Sequence, residues 1–369
     1  MRMQTAIDGP SVLASASARR IADDPEHLSA RLHARRSRMA EGPRLDALCR
    51  IRDLQEYFQE IFPGSEFSGV LDFQRTIIQG LIEDISGLRY FVAGPGADLI
   101  DRMLVRFQVE DLKMFIRVCM TKSSLEDLYG SLVPLPRELA LDVRRLAAAG
   151  SVEDIVPLVP RGFLRKSLMK AVEIYHDSPG PFFFEAALDR GYFQGLLAAM
   201  ELLPRDAHRL IQPMICQEAD IFNLMLVLRG RFRYDVAPDM MLPLHAKGGR
   251  IIRSRFEDML KGADLQTVVG LTGLRVIDEE FVDRSANEAA AAAGISPLEK
   301  LAWQRYVRLA NHAFHRSHMG LGTIIGYAGL RRVEAANLIT ISEGIRGGMA
   351  VEKIRGRMVL LTEVEGLYV

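Results

Sequence analysis

Residues 217–233, QEADIFNLMLVLRGRFR, combine charged ends with an apolar middle. The segment begins with acidic residues, is apolar from Ile221 to Leu228 apart from the amide of Asn223, and ends in three arginines. A long apolar run that closes on cations is typical of a buried helix whose C-terminus carries positive charge. A buried Asn223 needs hydrogen bonds. It is either a helix-to-helix contact or a contact to a partner protein.

The same pattern occurs at two other places, in QVEDLKMFIR (108–117) and in RRVEAANLITISEG (331–344). Asp111, Asn223 and Asn337 stand at one point of the pattern, 112 and 114 residues apart, and we call them the signature residues. This spacing is too long for a solenoid repeat and has the size of a small domain. The other positions that the pattern aligns are Arg117 with Arg229, and Asp220 with Glu334.

A second marker has the same period. Three segments, which we call the opening segments, start at Asp53, Ser151 and Asp264, and the last two starts are 113 residues apart. Each begins with a residue type that caps helix N-termini and continues with apolar residues at helical spacing. The sequence therefore predicts an all-α protein of three similar helical domains. The predicted limits are a loose N-terminal tail (1–30) and helical repeats at 31–135, 136–245 and 246–369.

Composition bounds the function. Lys plus Arg and Asp plus Glu number 47 each, so no overall basic charge favours nucleic acid as a partner. Three widely separated cysteines indicate reduced thiols rather than a disulfide framework. The N-terminus lacks the apolar core of a signal peptide, and the uncharged run 317–330 is short and glycine-rich. We expect a soluble chain without direct bilayer insertion.

Motifs for chemistry are weak. The glycine-rich stretches GPGAD (94–98) and GLGTIIG (320–326) lack the lysine and the preceding strand of a phosphate-binding loop. His312, His315 and His318 recur every three residues, but no Glu or Cys completes a zinc ligand set. The sequence thus predicts no catalytic residue, no cofactor and no metal. A metal-dependent helical enzyme using His312–His318, or a helical scaffold for other partners, remains the alternative.

Three stretches together resemble the C subunit of the V-type and archaeal-type rotary ATPases, known as the d subunit in eukaryotic complexes. They are ALDRGYF (187–193), EADIFNLMLVLRGR (218–231) and VEAANLITISEGIRGGMAVEKIRGRM (333–358). The resemblance covers roughly residues 28–369. The third copy departs from the second because Glu343 and Gly344 stand where Arg229 and Gly230 are found.

This resemblance implies three helical wedges arranged as a pseudo-threefold funnel. The funnel would sit on the cytoplasmic face of the membrane rotor ring, one copy per complex, and hold the foot of the central stalk. Its partners would be the rotor subunits of the stalk and the ring. Its role would be mechanical coupling during ATP-driven ion transport or ATP synthesis, with no bond chemistry of its own.

Arg229, Arg231 and Arg233 crowd the end of the second pattern. Helix capping alone explains one cation there, since each contributes roughly 0.3–1 kcal/mol through the helix dipole. The cluster is either a solvated turn, partly neutralised by Asp235 and Asp239, or a docking site for an acidic patch of the stalk or ring. For a docking site, we expect that three glutamine replacements weaken partner binding and leave the thermal midpoint nearly unchanged.

Overall fold

The computed structural model describes residues 25–177, 180–272, 276, 295–317 and 320–360. All regular structure within these ranges is helical, which confirms the predicted all-α class. Short 3-10 helices lie at Arg89–Phe91, Arg137–Leu139, Val156–Leu158 and Leu242–Leu244. The α-helices are α1 (Pro25–Arg36), α2 (Gly42–Leu48), α3 (Leu54–Ile61), α4 (Val70–Leu88), α5 (Pro95–Thr121), α6 (Leu125–Ser131), α7 (Val143–Ala147), α8 (Val152–Ile155), α9 (Phe163–Tyr175), α10 (Phe182–Met200), α11 (Arg205–Phe232), α12 (Pro238–Met241), α13 (Arg253–Lys261), α14 (Leu265–Thr272), α15 (Ile295–Arg316), α16 (Leu321–Arg346) and α17 (Val351–Arg357).

The signature residues lie on three of the longest helices, α5, α11 and α16, with 27, 28 and 26 residues. In α11, all residues from Ile221 to Leu228 are buried except Phe222, which is partly buried. A helix that is apolar on every side belongs in a protein core. The buried helix predicted from residues 217–233 is therefore confirmed.

The opening segments form helices with the predicted caps. Asp53, Ser151 and Asp264 directly precede α3, α8 and α14. Each side chain accepts a hydrogen bond from the backbone N–H three residues later, at 2.9, 3.3 and 2.7 Å. These bonds satisfy one of the N–H groups that a helix leaves unpaired at its start.

Each signature helix packs against another long helix. The pairs are α5 with α10, α11 with α15, and α16 with α4. α15 and α16 also form a close antiparallel pair, in which a side chain at Gly326 would meet backbone atoms of Ala310 and Phe314 at 2.6 Å. Glycine is required there because any Cβ would push the two helices apart.

The first and last parts of the chain are in contact. The Tyr57 hydroxyl donates to the Leu338 carbonyl at 2.9 Å, and the Arg52 guanidinium donates to the Met349 carbonyl at 2.7 Å. α1 begins at Pro25, within the predicted tail, because Leu28 and Leu32 are buried. The remainder of the predicted tail, residues 1–24, lies outside the described residues. Contacts thus cross the limits predicted for the first and third repeats.

Among the helices that the structure describes, none is long and apolar enough to span a membrane.

The three cysteines are unpaired, as expected from their spacing. Burial raises the pKa of the Cys49 and Cys216 thiols to about 11, so both are held as thiols at neutral pH.

Candidate functional site

Two signature residues make the same pair of hydrogen bonds. The Asn223 amide nitrogen donates to the Ala246 carbonyl and its oxygen accepts from the Ala246 N–H, both at 2.9 Å. Asn337 makes this pair with Val359, at 2.8 and 2.9 Å. Each asparagine therefore fixes a backbone residue 22 or 23 positions downstream, and its amide both donates and accepts within the chain.

Asp111 occupies the corresponding place on α5. Its carboxyl is buried and accepts a hydrogen bond from the backbone of Val133, 22 residues downstream. Burial raises the pKa of Asp111 to about 7, with a further small increase from Glu110, although the Val133 N–H opposes the shift. The first copy thus has an ionisable group where the other two have amides.

A second set of contacts lies three residues before each signature residue. The Asp220 carboxylate accepts from the N–H groups of Arg250 and Ile251, both at 2.8 Å, and burial raises its pKa to about 6. Glu334, which the pattern aligns with Asp220, accepts from the Ala40 N–H at 2.5 Å. Both acids accept from backbone N–H groups, and Glu334 also pairs with the Arg331 guanidinium.

Gly249 leaves room for this contact, because a side chain there would collide with the Asp220 carboxylate. In the first copy, Gln108 stands at the position of Asp220 and Glu334, three residues before the signature residue. Its amide donates to the Leu139 carbonyl at 2.8 Å. Gln108, Asp220 and Glu334 are thus all polar, buried and hydrogen-bonded to the backbone.

An ion pair joins two of the signature helices to the long helix on which each packs, and a hydrogen bond joins the third. Arg117 on α5 makes two bonds to Glu185 of α10, at 2.6 and 2.8 Å. Arg229 on α11 makes two bonds to Glu299 of α15, at 3.0 and 2.8 Å. On α16 the corresponding residue is Glu343, whose carboxylate accepts from the Gln74 amide of α4 at 2.7 Å. The departure at Glu343 is therefore matched by a hydrogen-bond donor on the facing helix.

The arginine cluster differs from the sequence interpretation. Arg229 is paired with Glu299, and the Arg231 guanidinium donates to the carbonyls of Leu260 and Gly262. Arg233 is exposed, and its guanidinium lies 5.9 Å from the Tyr234 ring. Since two of the three arginines bind their own chain, replacing all three would also remove contacts that stabilise the fold. We therefore expect the triple replacement to lower the thermal midpoint, and docking of the cluster stays a prediction, for which Arg233 is the exposed candidate.

Charged pairs that the sequence interpretation missed lie at the contacts between long helices. Arg332 on α16 pairs with the buried Glu218 of α11 at 2.9 Å. On α5, Arg106 and Lys113 bind Asp189 of α10, at 3.1 and 2.7 Å. One signal was present in the sequence, because Arg106, Glu218 and Arg332 follow the spacing of the signature residues, 112 and 114.

The histidines do not converge in the described part of the chain. His312 and His315 are exposed on α15, and His318 lies outside the described residues. The His33 ring lies 6.2 Å from the His315 ring, and partial desolvation by its neighbours, followed by the charge of His33, lowers the pKa of His315. No group of three or more metal-binding side chains occurs in the described ranges.

The fold and these contacts define a class of all-helical proteins whose buried polar residues join helices that are far apart in sequence. The model of the ATP synthase (C/AC39) subunit family matches residues 28–357. The chain belongs to this family. It is therefore a stalk subunit of an A/V-type rotary ATPase, a membrane-associated complex, and it is not a catalytic subunit.

Individual relatives agree with this assignment over most of their length. The chain is 24% identical over 353 residues to the A-type ATP synthase C subunit of Haloferax volcanii, covering 92% of this chain and 98% of the relative. It is 22% identical over 325 residues to the A-type ATP synthase C subunit of Methanothermobacter thermautotrophicus, covering 86% and 83%. The protein of the same name from Methanobrevibacter smithii is 24% identical over 330 residues, with the same coverage.

Proposed function

We propose that the chain couples the central rotor stalk to the membrane ion-translocating ring, as one copy on the cytoplasmic face of the complex. Its three helical repeats form a pseudo-threefold funnel that receives the foot of the stalk. It transmits torque during ATP-driven ion transport or ATP synthesis and makes no covalent change in any substrate.

The contact between the last and first repeats is the observation that carries this proposal. α16 packs on α4 as α5 packs on α10 and α11 packs on α15. Glu334 bonds Ala40, which lies 13 residues before the opening residue Asp53, and Asp220 bonds Ile251, which lies 13 residues before Asp264. The first repeat therefore provides a backbone N–H to the acid of the third repeat, just as the third repeat provides one to the acid of the second. A cyclic arrangement of the three repeats requires such a contact between the last repeat and the first.

Such contacts also suit a part that carries torque. Two kinds of contact are costly to break: buried ion pairs, and hydrogen bonds to buried backbone groups. In both, the separated groups lose their partners without gaining water. Here they join helices of different repeats, as with Glu218 and Arg332. We infer that the three repeats turn as one body under load.

Affinity purification tests the assignment of partners. A tagged chain extracted from membranes with a mild detergent should retain the stalk subunits and the ring. A complex prepared without this chain should still hydrolyse ATP, since catalysis resides elsewhere, but should not move ions across a vesicle membrane. Ion transport at the parent rate without this chain would contradict the proposed coupling.

A single arginine tests whether the end of α11 contacts a partner. We expect Arg233→Gln to weaken binding to a complex stripped of this chain and to flatten the salt dependence of binding, because exposed charge contacts are screened by ions. The thermal midpoint should stay within about 1 °C, as expected for an exposed position.

Arg209→Gln is the matched control, because Arg209 is 80% exposed near the other end of the same helix. Equal affinities and equal salt slopes for the parent and both variants would assign Arg233 to a solvated turn.

A further inference from the structure

Asp111 differs chemically from the two residues that share its role. Asn223 and Asn337 each donate one hydrogen bond and accept another from a single backbone residue. An ionised carboxylate can only accept, whereas a protonated carboxyl can donate and accept as an amide does. Asp111 is 6% exposed and already accepts from the Val133 backbone. It can complete the pair seen at the asparagines only when it carries a proton.

We propose that Asp111 is a proton-dependent contact that holds residues 132–135 against α5 when neutral and releases them when ionised. In the neutral form one carboxyl oxygen accepts from the Val133 N–H and the other donates to the Val133 carbonyl. In the ionised form the second oxygen faces that carbonyl as a repelling negative charge. The amides of Asn223 and Asn337 do not titrate, so Asp111 is the one signature residue whose contact responds to pH.

Within the described part of the chain, no cation is among the groups that shift the pKa of the Asp111 carboxyl. Burial and the charge of the adjacent Glu110 raise its pKa to about 7. The neighbouring acids on the elements that pack against α5 have other partners. Glu185 binds Arg117, Asp189 binds Arg106 and Lys113, Asp84 binds Arg35 and Arg331, and Asp154 binds the backbone of Gly150 and Ser151.

The direction of the pH effect follows from the raised pKa. The raised pKa means that the docked segment favours the neutral carboxyl. Protonation of Asp111 therefore stabilises the contact, and the full stabilisation is present when the pH is below 3.8, the usual pKa of this carboxyl. This stabilisation decreases as pH rises and is lost once pH passes about 7. The segment leads to Leu139, which Gln108 holds to α5 at 2.8 Å. Release at Val133 therefore loosens the connection between the first and second repeats.

Hydrogen exchange measured by mass spectrometry on the full chain tests this proposal. The variant Asp111→Asn copies the residue of the other two repeats and cannot ionise. The ratio of exchange rates, parent over Asp111→Asn, should be taken for peptides covering residues 128–139, because the ratio cancels the intrinsic effect of pH. We expect this ratio to rise on the order of tenfold or more between pH 5 and pH 8.

The reciprocal variant Asn223→Asp is the second arm. For residues 244–248, the ratio of exchange rates, Asn223→Asp over parent, should rise with pH, and this ratio cancels the titration of the nearby His245 and Asp220. A ratio at residues 128–139 that stays constant from pH 5 to pH 8 would overturn the proposal. So would an Asn223→Asp variant in which residues 244–248 show no dependence on pH relative to the parent.

Discussion

Replacing Arg332 with methionine will lower the free energy of unfolding by about 3–5 kcal/mol, because it leaves the buried Glu218 carboxylate without its partner. The two side chains meet at 2.9 Å, and only 7% of the Glu218 side chain is exposed. The Arg332 guanidinium also lies 5.4 Å from the Trp303 ring and 5.3 Å from the Tyr306 ring. These aromatic contacts favour a cation at this place.

The double variant Glu218→Gln with Arg332→Met separates the cost of leaving the Glu218 charge unpaired from the loss of the aromatic contacts of Arg332. It removes both charges, so most of the stability lost in Arg332→Met should return. Urea unfolding followed by circular dichroism measures both values. The control is Arg346→Met, since Arg346 and Glu343 form an exposed pair and should contribute less than about 1 kcal/mol. Equal losses for Arg332→Met and Arg346→Met would show that the buried pair has no special importance.

Asn223→Leu should have the next largest effect. Leucine fits an apolar helix but leaves the N–H and carbonyl of Ala246 buried without partners, at a cost of roughly 1–3 kcal/mol for each group. Asn337→Leu should cost less, because its bonds to Val359 are partly exposed and water can replace them.

The same unfolding experiment ranks the two variants. The exposed Gln79→Leu on α4 provides a control for adding an apolar side chain, because the one side-chain hydrogen bond of Gln79 to a described residue goes to Glu83, one helical turn away. A loss for Asn223→Leu no larger than that for Gln79→Leu would contradict a structural role for this signature residue.

Local patterns predicted several features correctly. The apolar run after Asp220 indicated a buried helix, and the capping residues Asp53, Ser151 and Asp264 start helices in the structure. Helix periodicity and capping depend on residues within one or two turns of each other. The sequence therefore contains this information in a form that can be read without knowing the fold.

Partners that are distant in the chain could not be predicted in this way. Glu334 binds the backbone of Ala40, 294 residues away, and Arg229 binds Glu299, 70 residues away. Nothing in the local pattern around Arg229 distinguishes an arginine paired within the chain from one in a solvated turn or a docking site, so the pattern alone leaves a solvated turn and a docking site open. Arg106, Glu218 and Arg332 were missed for the same reason, although their common spacing marked them.

Electron cryomicroscopy of the intact ATPase, purified through this chain, tests the central proposal most directly. We expect one copy between the stalk and the membrane ring. We also expect α5, α11 and α16 to be related by rotations of about one-third of a turn, with Asp111, Asn223 and Asn337 in equivalent places. Signature helices that share no common axis, or a chain that lies away from the junction of stalk and ring, would contradict it.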